Sequence, residues 1–366
     1  MIVGLLVNPV AGLGGAVALK GSDGAGVQAR ALALGAVPRA GERAAAALRA
    51  LGARRPGLTV RTVAGPMGED SARAAGVRYE VACGFGEVGT TAAHTRAAVA
   101  ALAGADLLLF AGGDGTARDV LDAGPAGAVL GVPAGVKVYS GCFAVSPFAA
   151  GVTAAGYDGR TLEAEVVDLD EEAHRAGRVG ARLYGTLRVP AARVRLSGRK
   201  TGSSAAPPGS VESIARAVAA EMAPGVSYAL GPGATTLAVG RQLGLELTPL
   251  GVDLVRDGEL LARDVTEQTL LVHAMSQVTY AVLSVIGGQG FVIGRGNQQF
   301  SPRVLERLAG ITVLATQQKL AALGGRPLLV DTGDPVADAA LGGPARVVTG
   351  HRESVVYRIQ SASEDL

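Results

Sequence analysis

The sequence predicts an α/β protein with a doubly wound, mostly parallel N-terminal domain and a mixed α+β, strand-rich C-terminal domain. Over the first 150 residues, near-continuous apolar runs alternate with alanine-rich helical patterns, which is typical of a parallel sheet covered on both faces. Beyond that point, apolar and charged residues alternate, as in antiparallel strands with one wet face. A length of 366 residues exceeds one ordinary domain, so we expect two, over 1–150 and 151–366.

The first domain contains five strand-like runs and at least two helices. The runs are short, apolar and partly β-branched, and they cover 2–8, 58–64, 77–82, 106–110 and 128–132. The helical stretches at 41–52 and 91–104 each end in a glycine at the C-cap position. Because strands alternate with helices, these elements predict parallel βαβ units.

The second domain begins with alternating strand patterns and continues with mixed elements. Residues 196–210 are rich in Gly, Ser and Pro, which predicts a loop or flap. Asp264 and Glu267 are spaced like a capping box, and Ser301 before a proline predicts another helix start. The apolar stretch 272–294 contains glycines and polar residues, so we expect a buried strand with a glycine turn there instead of a membrane span. We expect the C-terminal segment to pack back on the first domain.

Composition and charge argue against several classes of protein. The 34 basic and 32 acidic residues are scattered along the chain, which argues against a nucleic-acid scaffold. Cys83 and Cys142 form no CxxC or Cys/His pattern, so neither a disulfide framework nor structural zinc is expected. This cysteine usage fits a reducing cytoplasm, and we expect neither nucleic-acid nor membrane partners. We also expect small-molecule substrates and a homo-oligomer.

The strongest chemical signal is the turn Gly112-Gly113-Asp114-Gly115-Thr116, between a buried strand and a helix start. In parallel sheets, ligands bind beyond the carboxyl ends of strands, where helix N-termini present N–H groups to phosphate. The glycines remove Cβ atoms that would keep phosphate from the backbone, and Thr116 adds a hydroxyl donor. A carboxylate here repels phosphate unless it holds Mg²⁺ or takes a proton from an attacking hydroxyl. The alternative is that Asp114 only caps the helix.

Two other phosphate-binding motifs carry less weight. A Walker A sequence is absent from the chain. Residues 84–89 read GFGEVG, but the acidic partner expected about 20 residues later would be Asp106, which opens the next strand instead of ending it. We therefore expect phosphoryl transfer in preference to NAD(P)-dependent redox chemistry.

Polar residues beside other glycine turns are further candidates. Lys137 follows a strand end, where it either neutralises a phosphate or remains a solvated lysine. The donor-rich side chains of Arg295, Asn297 and Gln298 suit ribose or phosphate. Asp253 interrupts an apolar strand, so its carboxylate requires a basic partner or the hydroxyls of a ligand.

A pair of threonines, Thr235 and Thr236, lies where a further helix begins, after Gly-Pro-Gly. Hydroxyl side chains at such a position serve equally as N-caps or as phosphate ligands. Both readings stay open from the residues alone.

Several motifs together resemble one family. The segments VNP (7–9), FAGGDGTARDV (110–120) and GVPAGVKVYSGCFA (131–144) are similar to the ATP-NAD kinase family, which shares its GGDGT turn and two-domain plan with diacylglycerol-type lipid kinases. Downstream segments resemble its branch of predicted polyphosphate- or ATP-dependent NAD kinases, which includes proteins associated with acetoin catabolism. These segments are LGPGATT, LGVDLVRDGELLARDVTE, IGGQGFVIGRGNQQFSP and VDTGDP.

The resemblance implies a small-molecule kinase that phosphorylates NAD to NADP with ATP or polyphosphate as donor. It makes Asp114 the carboxylate that activates the acceptor hydroxyl, and Mg²⁺ would be held through the donor phosphates. With the candidates above, the expected nucleotide- or phosphate-binding set is Asn8, Pro9, Gly112, Gly113, Gly115, Thr116 and Lys137. The expected acceptor-binding set is Thr235, Thr236, Asp253, Gly288, Arg295, Asn297 and Gln298.

The sequence also departs from well-studied NAD kinases. It has no Asn-Glu dipeptide for the ribose and adenine of NAD, and GPGATT (231–236) stands in place of a threonine-rich GST-type loop. Two alternatives therefore stay open. One is a kinase of the same fold that acts on a lipid or sugar-like hydroxyl, and the other is a nucleotide-binding sensor without turnover.

Overall fold

A computed structural model describes residues 1–19, 25–86, 90–134, 138–169, 181–191 and 210–364. The candidate Lys137 and residues 196–209 of the predicted loop lie outside these ranges.

The first domain is built on a five-stranded parallel sheet with the order β3-β2-β1-β4-β5. Its strands are β1 (Val3–Val7), β2 (Thr59–Val63), β3 (Arg78–Cys83), β4 (Leu107–Gly112) and β5 (Ala128–Pro133). Its helices are α1 (Ala25–Ala33), α2 (Ala40–Arg54), α3 (Glu69–Ala75), α4 (Ala92–Ala101), α5 (Asp114–Asp122) and α6 (Pro147–Ala155). The five predicted strands and the doubly wound class are confirmed.

Alternate side chains of these strands point to opposite faces, and each face is covered by helices. On one face Leu5 and Leu109 pack with α2 and α6, and on the other Leu6 and Phe110 pack with α4 and α5. The α2 and α6 backbones approach closely at Gly151, where an added Cβ would lie 2.1 Å from the Ala47 carbonyl oxygen. The sheet is therefore buried on both sides, as its apolar strands require.

A two-stranded hairpin, β6 (Thr161–Leu169) and β7 (Ala181–Pro190), follows α6. Its apolar side chains Val166 and Val189 lie in the same core as α5. A domain boundary at residue 150 falls inside α6, whose alanines pack in the core of the first sheet. We propose on this packing that the first domain extends through the hairpin.

The second domain is a nine-stranded mixed sheet with the order β10-β9-β8-β11-β13-β15-β16-β14-β12. Its strands are β8 (Ser227–Leu230), β9 (Asp253–Arg256), β10 (Glu259–Ala262), β11 (Thr279–Ser284), β12 (Phe291–Ile293), β13 (Gly310–Leu314), β14 (Leu328–Val330), β15 (Gly343–Gly350) and β16 (Glu353–Ser361). Its helices are α7 (Ser210–Glu221), α8 (Ala234–Gln242), α9 (Glu267–Ser276), α10 (Pro302–Leu305), α11 (Gln317–Ala321) and α12 (Pro335–Ala340). The predicted mixed, strand-rich class is confirmed.

The C-terminal strand β16 pairs with β14 and β15 in the second sheet. That the C-terminal segment packs back on the first domain stays a prediction. One expectation for this domain needs correction. The N-cap of α9 is Thr266, and Asp264 instead donates its backbone N–H to Asp253. The stretch 272–294 divides among the end of α9, β11, a turn and β12. None of the helices in the described part of the chain combines the length and apolar character needed to cross a membrane.

The second domain contacts the first at the carboxyl edge of the first sheet. Gln289 Nε2 donates to the Val138 carbonyl at 2.8 Å, and Arg295 Nη2 donates to the Val145 carbonyl at 3.0 Å. The Gln298 side chain packs against Gly15, where an added Cβ would lie 2.2 Å from Gln298 Oε1. The segment 288–298 thus contacts loops that follow strands of the first domain.

Candidate active site

The order of the first sheet creates a crevice between the carboxyl ends of β1 and β4, because the chain leaves the two strands in opposite directions. Asn8 follows β1 and bridges this point, since its backbone N–H donates to the Ala111 carbonyl at 2.9 Å. Its side-chain Nδ2 donates to Thr116 Oγ1 at 3.0 Å. Asn8 and the GGDGT turn are therefore joined in one structure at the usual ligand position of such sheets.

The three glycines of the turn have different surroundings. A Cβ on Gly112 would lie 2.4 Å from Thr116 Oγ1, so Gly112 is required for the packing of Thr116. Gly113 is the N-cap of α5 with extended backbone (φ −123°, ψ −167°), and it supplies no side chain to cap the helix. A Cβ on Gly115 would meet only Arg118 Nη2, at 3.8 Å. Gly112 is therefore explained by packing, whereas Gly115 has space for a side chain.

Asp114 begins α5, and its carboxylate is held by the loop that follows β5. Oδ1 accepts from Ser140 N at 2.8 Å, from Ser140 Oγ at 2.5 Å and from Tyr139 N at 3.1 Å. Among the described residues, Oδ2 accepts only from Tyr139 N, at 2.9 Å. Ser140 Oγ in turn accepts from Val167 N of the hairpin at 3.0 Å. The carboxylate is thus fixed by a neighbouring loop, and these bonds do not go to its own helix.

This geometry leaves Oδ2 with room for another hydrogen-bond donor, because a carboxylate oxygen accepts about two bonds. Burial raises the pKa of the Asp114 carboxyl above its ordinary value, although hydrogen bonds from Ser140 and Tyr139 and the Arg118 guanidinium partly offset this effect. A half-buried carboxylate with a raised pKa and room on Oδ2 for another donor is suited to accept a proton.

The second domain contains another uncapped, glycine-led helix. Gly233, the N-cap of α8, has a left-handed backbone (φ 133°) and no side chain to cap the helix. Thr235 and Thr236 are buried in the first turn, and Thr236 Oγ1 donates back to the Gly233 carbonyl at 2.7 Å. The hydroxyl of Thr235 receives a hydrogen bond from Lys319 Nζ at 3.2 Å.

Lys319 is a polar residue of this region that sequence reasoning missed. It lies on the short helix α11, is only 8% exposed, and also donates to Ser284 Oγ at 2.9 Å. No local signal distinguishes it, because lysines on short helices are usually solvent-exposed. Its position depends on three elements that are distant in sequence.

Asp253 is 1% exposed and obtains its hydrogen bonds from its own domain. Its carboxylate accepts from the backbone N–H of Thr248, from Thr248 Oγ1 at 2.8 Å and from Asp264 N at 2.7 Å. Within the described part of the chain, these three donors satisfy the buried carboxylate, and contact of Asp253 with a substrate stays a prediction.

Arg295 is buried in an ion triad at the contact between domains. Asp331 accepts from Arg43 of α2 and from Arg295 Nη2, the latter at 2.8 Å. The Arg295 guanidinium carbon lies 4.7 Å from the centre of the Phe291 ring, and its Nε and Nη1 are buried without a hydrogen-bond partner. Burial lowers the pKa of Arg295 to about 10. Its Nη2 is thus directed to protein groups, whereas Nε and Nη1 have no partner among the described residues.

The other candidates of the second domain stabilise its loops. Asn297 accepts from Gly294 N at 2.9 Å and donates to the Val292 carbonyl at 2.8 Å. The Gly288 carbonyl accepts from Arg326 Nη2 at 3.1 Å. These contacts shape the segment that faces the first domain, and substrate contacts of these residues stay predictions.

Two family models match the chain, one for each domain. Residues 3–157 match the ATP-NAD kinase N-terminal domain, and residues 224–359 match the ATP-NAD kinase C-terminal domain. No curated protein and no solved structure gives a significant match. The N-terminal match contains the GGDGT turn and its crevice, and the C-terminal match contains the glycine-led helix α8. The chain belongs to the ATP-NAD kinase family and is a phosphotransferase.

Proposed function

We propose that the protein phosphorylates NAD to NADP, with ATP or polyphosphate as the phosphoryl donor. The observation that carries this proposal is the Asp114 carboxylate, fixed by Tyr139 and Ser140 at the crevice, with Oδ2 free to accept a proton. The family match supports kinase chemistry, and the acceptor and donor are our assignments.

In the proposed reaction, the terminal phosphates of the donor lie at the N-terminus of α5. The N–H groups after Gly113 and the Thr116 hydroxyl are the proposed donors there. The acceptor hydroxyl gives its proton to Asp114 Oδ2 while its oxygen bonds to the terminal phosphorus. The bond from phosphorus to the leaving nucleotide or polyphosphate oxygen breaks in the same step.

Magnesium fits this site through the donor phosphates. Within the described ranges, no three His, Cys, Asp or Glu side chains are grouped to hold a metal. Mg²⁺ commonly binds through substrate phosphates, waters and one or two carboxylates, and Asp114 can supply one of these. When bound, the ion would neutralise charge on the phosphoryl oxygens.

We further propose that the acceptor lies between Asp114 and the second domain. The interdomain contacts of Gln289 and Arg295 support this placement, because they bring the second domain to the edge that carries Asp114. Thr235 and Thr236 at the glycine-led turn are the proposed acceptor-side groups. Clefts between domains are common ligand sites.

A panel of acceptors tests this function. The purified chain is incubated with Mg²⁺, ATP or polyphosphate, and NAD, a sugar, glycerol or a diacylglycerol, and products are identified by mass. We expect NAD to gain one phosphoryl group. Phosphorylation of a lipid or polyol alone would favour the other kinase class. Binding of ATP and NAD without any product would favour a nucleotide sensor.

A substitution at Gly115 tests whether a phosphate of the donor contacts the backbone of α5. We expect Gly115→Ala to raise the apparent KM for ATP about tenfold, since a Cβ would stand where the phosphate meets the N–H groups. The melting temperature should be unchanged or higher, because the Cβ has space and alanine favours helix by about 1 kcal/mol.

Gly26 provides the matched control for this variant. It is likewise the second residue of a helix, and an added Cβ there has nothing within 4 Å. Gly26→Ala should leave the KM for ATP unchanged. An unchanged KM in Gly115→Ala would contradict a phosphate at this turn.

A cytoplasmic location and a homo-oligomeric state are also part of our proposal. The near-balanced charge and the two unpaired cysteines are consistent with a reducing compartment. Light scattering of the purified chain would measure the oligomeric state.

A further inference from the structure

Phe85 and His94 form a stacked ring pair at the carboxyl edge of the first sheet. Phe85 lies in the glycine turn that follows β3, and His94 lies in the first turn of α4, where its backbone N–H donates to the N-cap Thr91. The ring centres are 5.1 Å apart, and the ring planes are inclined by 16°. Both residues are half-buried. The pair therefore keeps part of its surface exposed at the edge where parallel sheets bind their ligands.

The exposure of Phe85 is unusual for this chain. Four of the six phenylalanines are at most 1% exposed, namely Phe110, Phe143, Phe291 and Phe300. Of the two half-buried ones, Phe148 is covered by the guanidinium of Arg54, 5.0 Å from the ring centre. Phe85 packs against the core under α4 and α5, and its neighbours Gly84 and Gly86 are exposed and carry no side chain. The core thus fixes the Phe85 ring, and the turn leaves it accessible.

The ring pair lies beside the helix that begins with Asp114. The helices α4 and α5 cover the same face of the sheet, and both begin at its carboxyl edge, because each follows a parallel strand. Arg96 Nη1 of α4 lies 3.7 Å from Asp119 Oδ1 of α5, so the two helices run side by side at the same level. The axes of packed helices are about 8–10 Å apart. The first turn of α4, with His94, is therefore one helix spacing from the first turn of α5.

This spacing suits a nucleotide whose phosphates lie at the N-terminus of α5. A nucleoside triphosphate carries a flat base at one end and charged phosphates at the other, joined by a ribose. Aromatic side chains bind any base by stacking on its π-face. With the phosphates at α5, the base reaches the neighbouring helix and extends the stack of two rings to three. Inorganic polyphosphate has no ring and gains no stacking from the pair.

We propose that Phe85 and His94 form a stacking platform for the nucleobase of the phosphoryl donor. This assignment rests on the proposed function, in which the donor phosphates lie at the N-terminus of α5. It makes a nucleoside triphosphate, in preference to inorganic polyphosphate, the donor. The adenine of the acceptor NAD has the same stacking chemistry. The platform and α5 belong to the first domain, however, whereas the proposed acceptor groups Thr235 and Thr236 belong to the second.

Titration calorimetry with ATP, tripolyphosphate and NAD tests the platform without turnover. We expect Phe85→Leu to weaken ATP binding about tenfold, because leucine retains apolar volume for the core but cannot stack on a base. Tripolyphosphate has the same phosphate chain without a nucleoside, so its binding should be unchanged, as should that of NAD. Phe85→Tyr keeps the ring and should bind ATP like the wild type. Circular dichroism and melting temperature check the fold of each variant.

Phe148→Leu is the matched control, because it replaces the other half-buried phenylalanine of the first domain. It should leave ATP binding unchanged. Equal ATP affinity in folded Phe85→Leu and wild type would overturn the platform, and so would an equal loss in Phe148→Leu or an equal loss of tripolyphosphate binding. A loss confined to NAD would overturn the assignment to the donor. If Phe85→Leu does not fold, His94→Leu removes the other ring, and ATP affinity equal to wild type in that variant contradicts the platform.

The outcomes for the platform and for the proposed function are separate. A wild-type chain that binds tripolyphosphate but not ATP overturns the platform and leaves a polyphosphate-dependent kinase in place. ATP affinity that depends on Phe85, in a chain that does not phosphorylate NAD, supports the platform and contradicts the proposed acceptor.

Discussion

Asp114→Asn is expected to lower turnover roughly 10²-fold or more, while nucleotide binding is largely retained. Asparagine keeps the size of the side chain but cannot accept a proton from the acceptor hydroxyl. Initial rates of product formation at saturating NAD and ATP, with binding measured separately, check this expectation. Turnover equal to wild type would leave Asp114 with only a structural role.

The pH dependence provides a second readout for the same residue. Because burial raises the pKa of Asp114, the proton-accepting form is lost at a higher pH than for an exposed aspartate. We expect kcat/KM of the wild type to fall on the acid side through this raised pKa. The residual activity of Asp114→Asn should lack that limb.

Asp331→Ala is expected to destabilise the protein by about 3–5 kcal/mol, the usual loss when one partner of a buried ion pair is removed. The variant leaves Arg43 and Arg295 buried side by side, with side chains 7% and 2% exposed, without their shared carboxylate. Urea unfolding measures the change in the free energy of unfolding. Glu221→Ala breaks an exposed pair with Arg346 and is the control, with an expected loss of about 0–1 kcal/mol. A loss equal to that of the control would contradict the importance of the triad.

The triad also predicts the sign of a pH effect on stability. Burial opposes ionisation of Asp331, but the guanidinium groups of Arg43 and Arg295 outweigh it and lower the pKa of its carboxyl. A carboxyl with a lowered folded-state pKa contributes stability above its unfolded pKa, and that stability is lost as pH falls through the folded pKa. Wild type should therefore lose this stability in acid, and Asp331→Ala should lose less.

The first domain could be predicted in detail because its strands are buried on both faces. Runs such as Leu107–Phe110 are wholly apolar, and the alanine-rich helices between strands leave few other arrangements. The helix start at Ser301 could also be predicted, because a single side chain next to α10 caps that helix. The predicted capping box at Asp264 is wrong. The backbone N–H of Asp264 donates to Asp253, which lies outside that helix, and Thr266 caps α9 instead.

The candidate site was predictable only where its chemistry is local. Asp114 stands out within its own glycine turn, but its partners at Tyr139 and Ser140 come from a different segment. Lys319 and Asp331 could not be found from spacing, because tertiary packing brings their partners to them. The Arg43–Asp331 pair joins residues 288 positions apart. Such contacts leave no periodic pattern in a single sequence.

Direct phosphoryl transfer to NAD is tested by a single-turnover experiment with ATP labelled at its terminal phosphate, saturating NAD and Mg²⁺. In the wild type, we expect the label to move to NAD in one step. In Asp114→Asn, labelled ATP should stay bound and unconverted. Label that appears on the protein, or that is released as inorganic phosphate at the same rate with and without NAD, would contradict direct transfer to the acceptor.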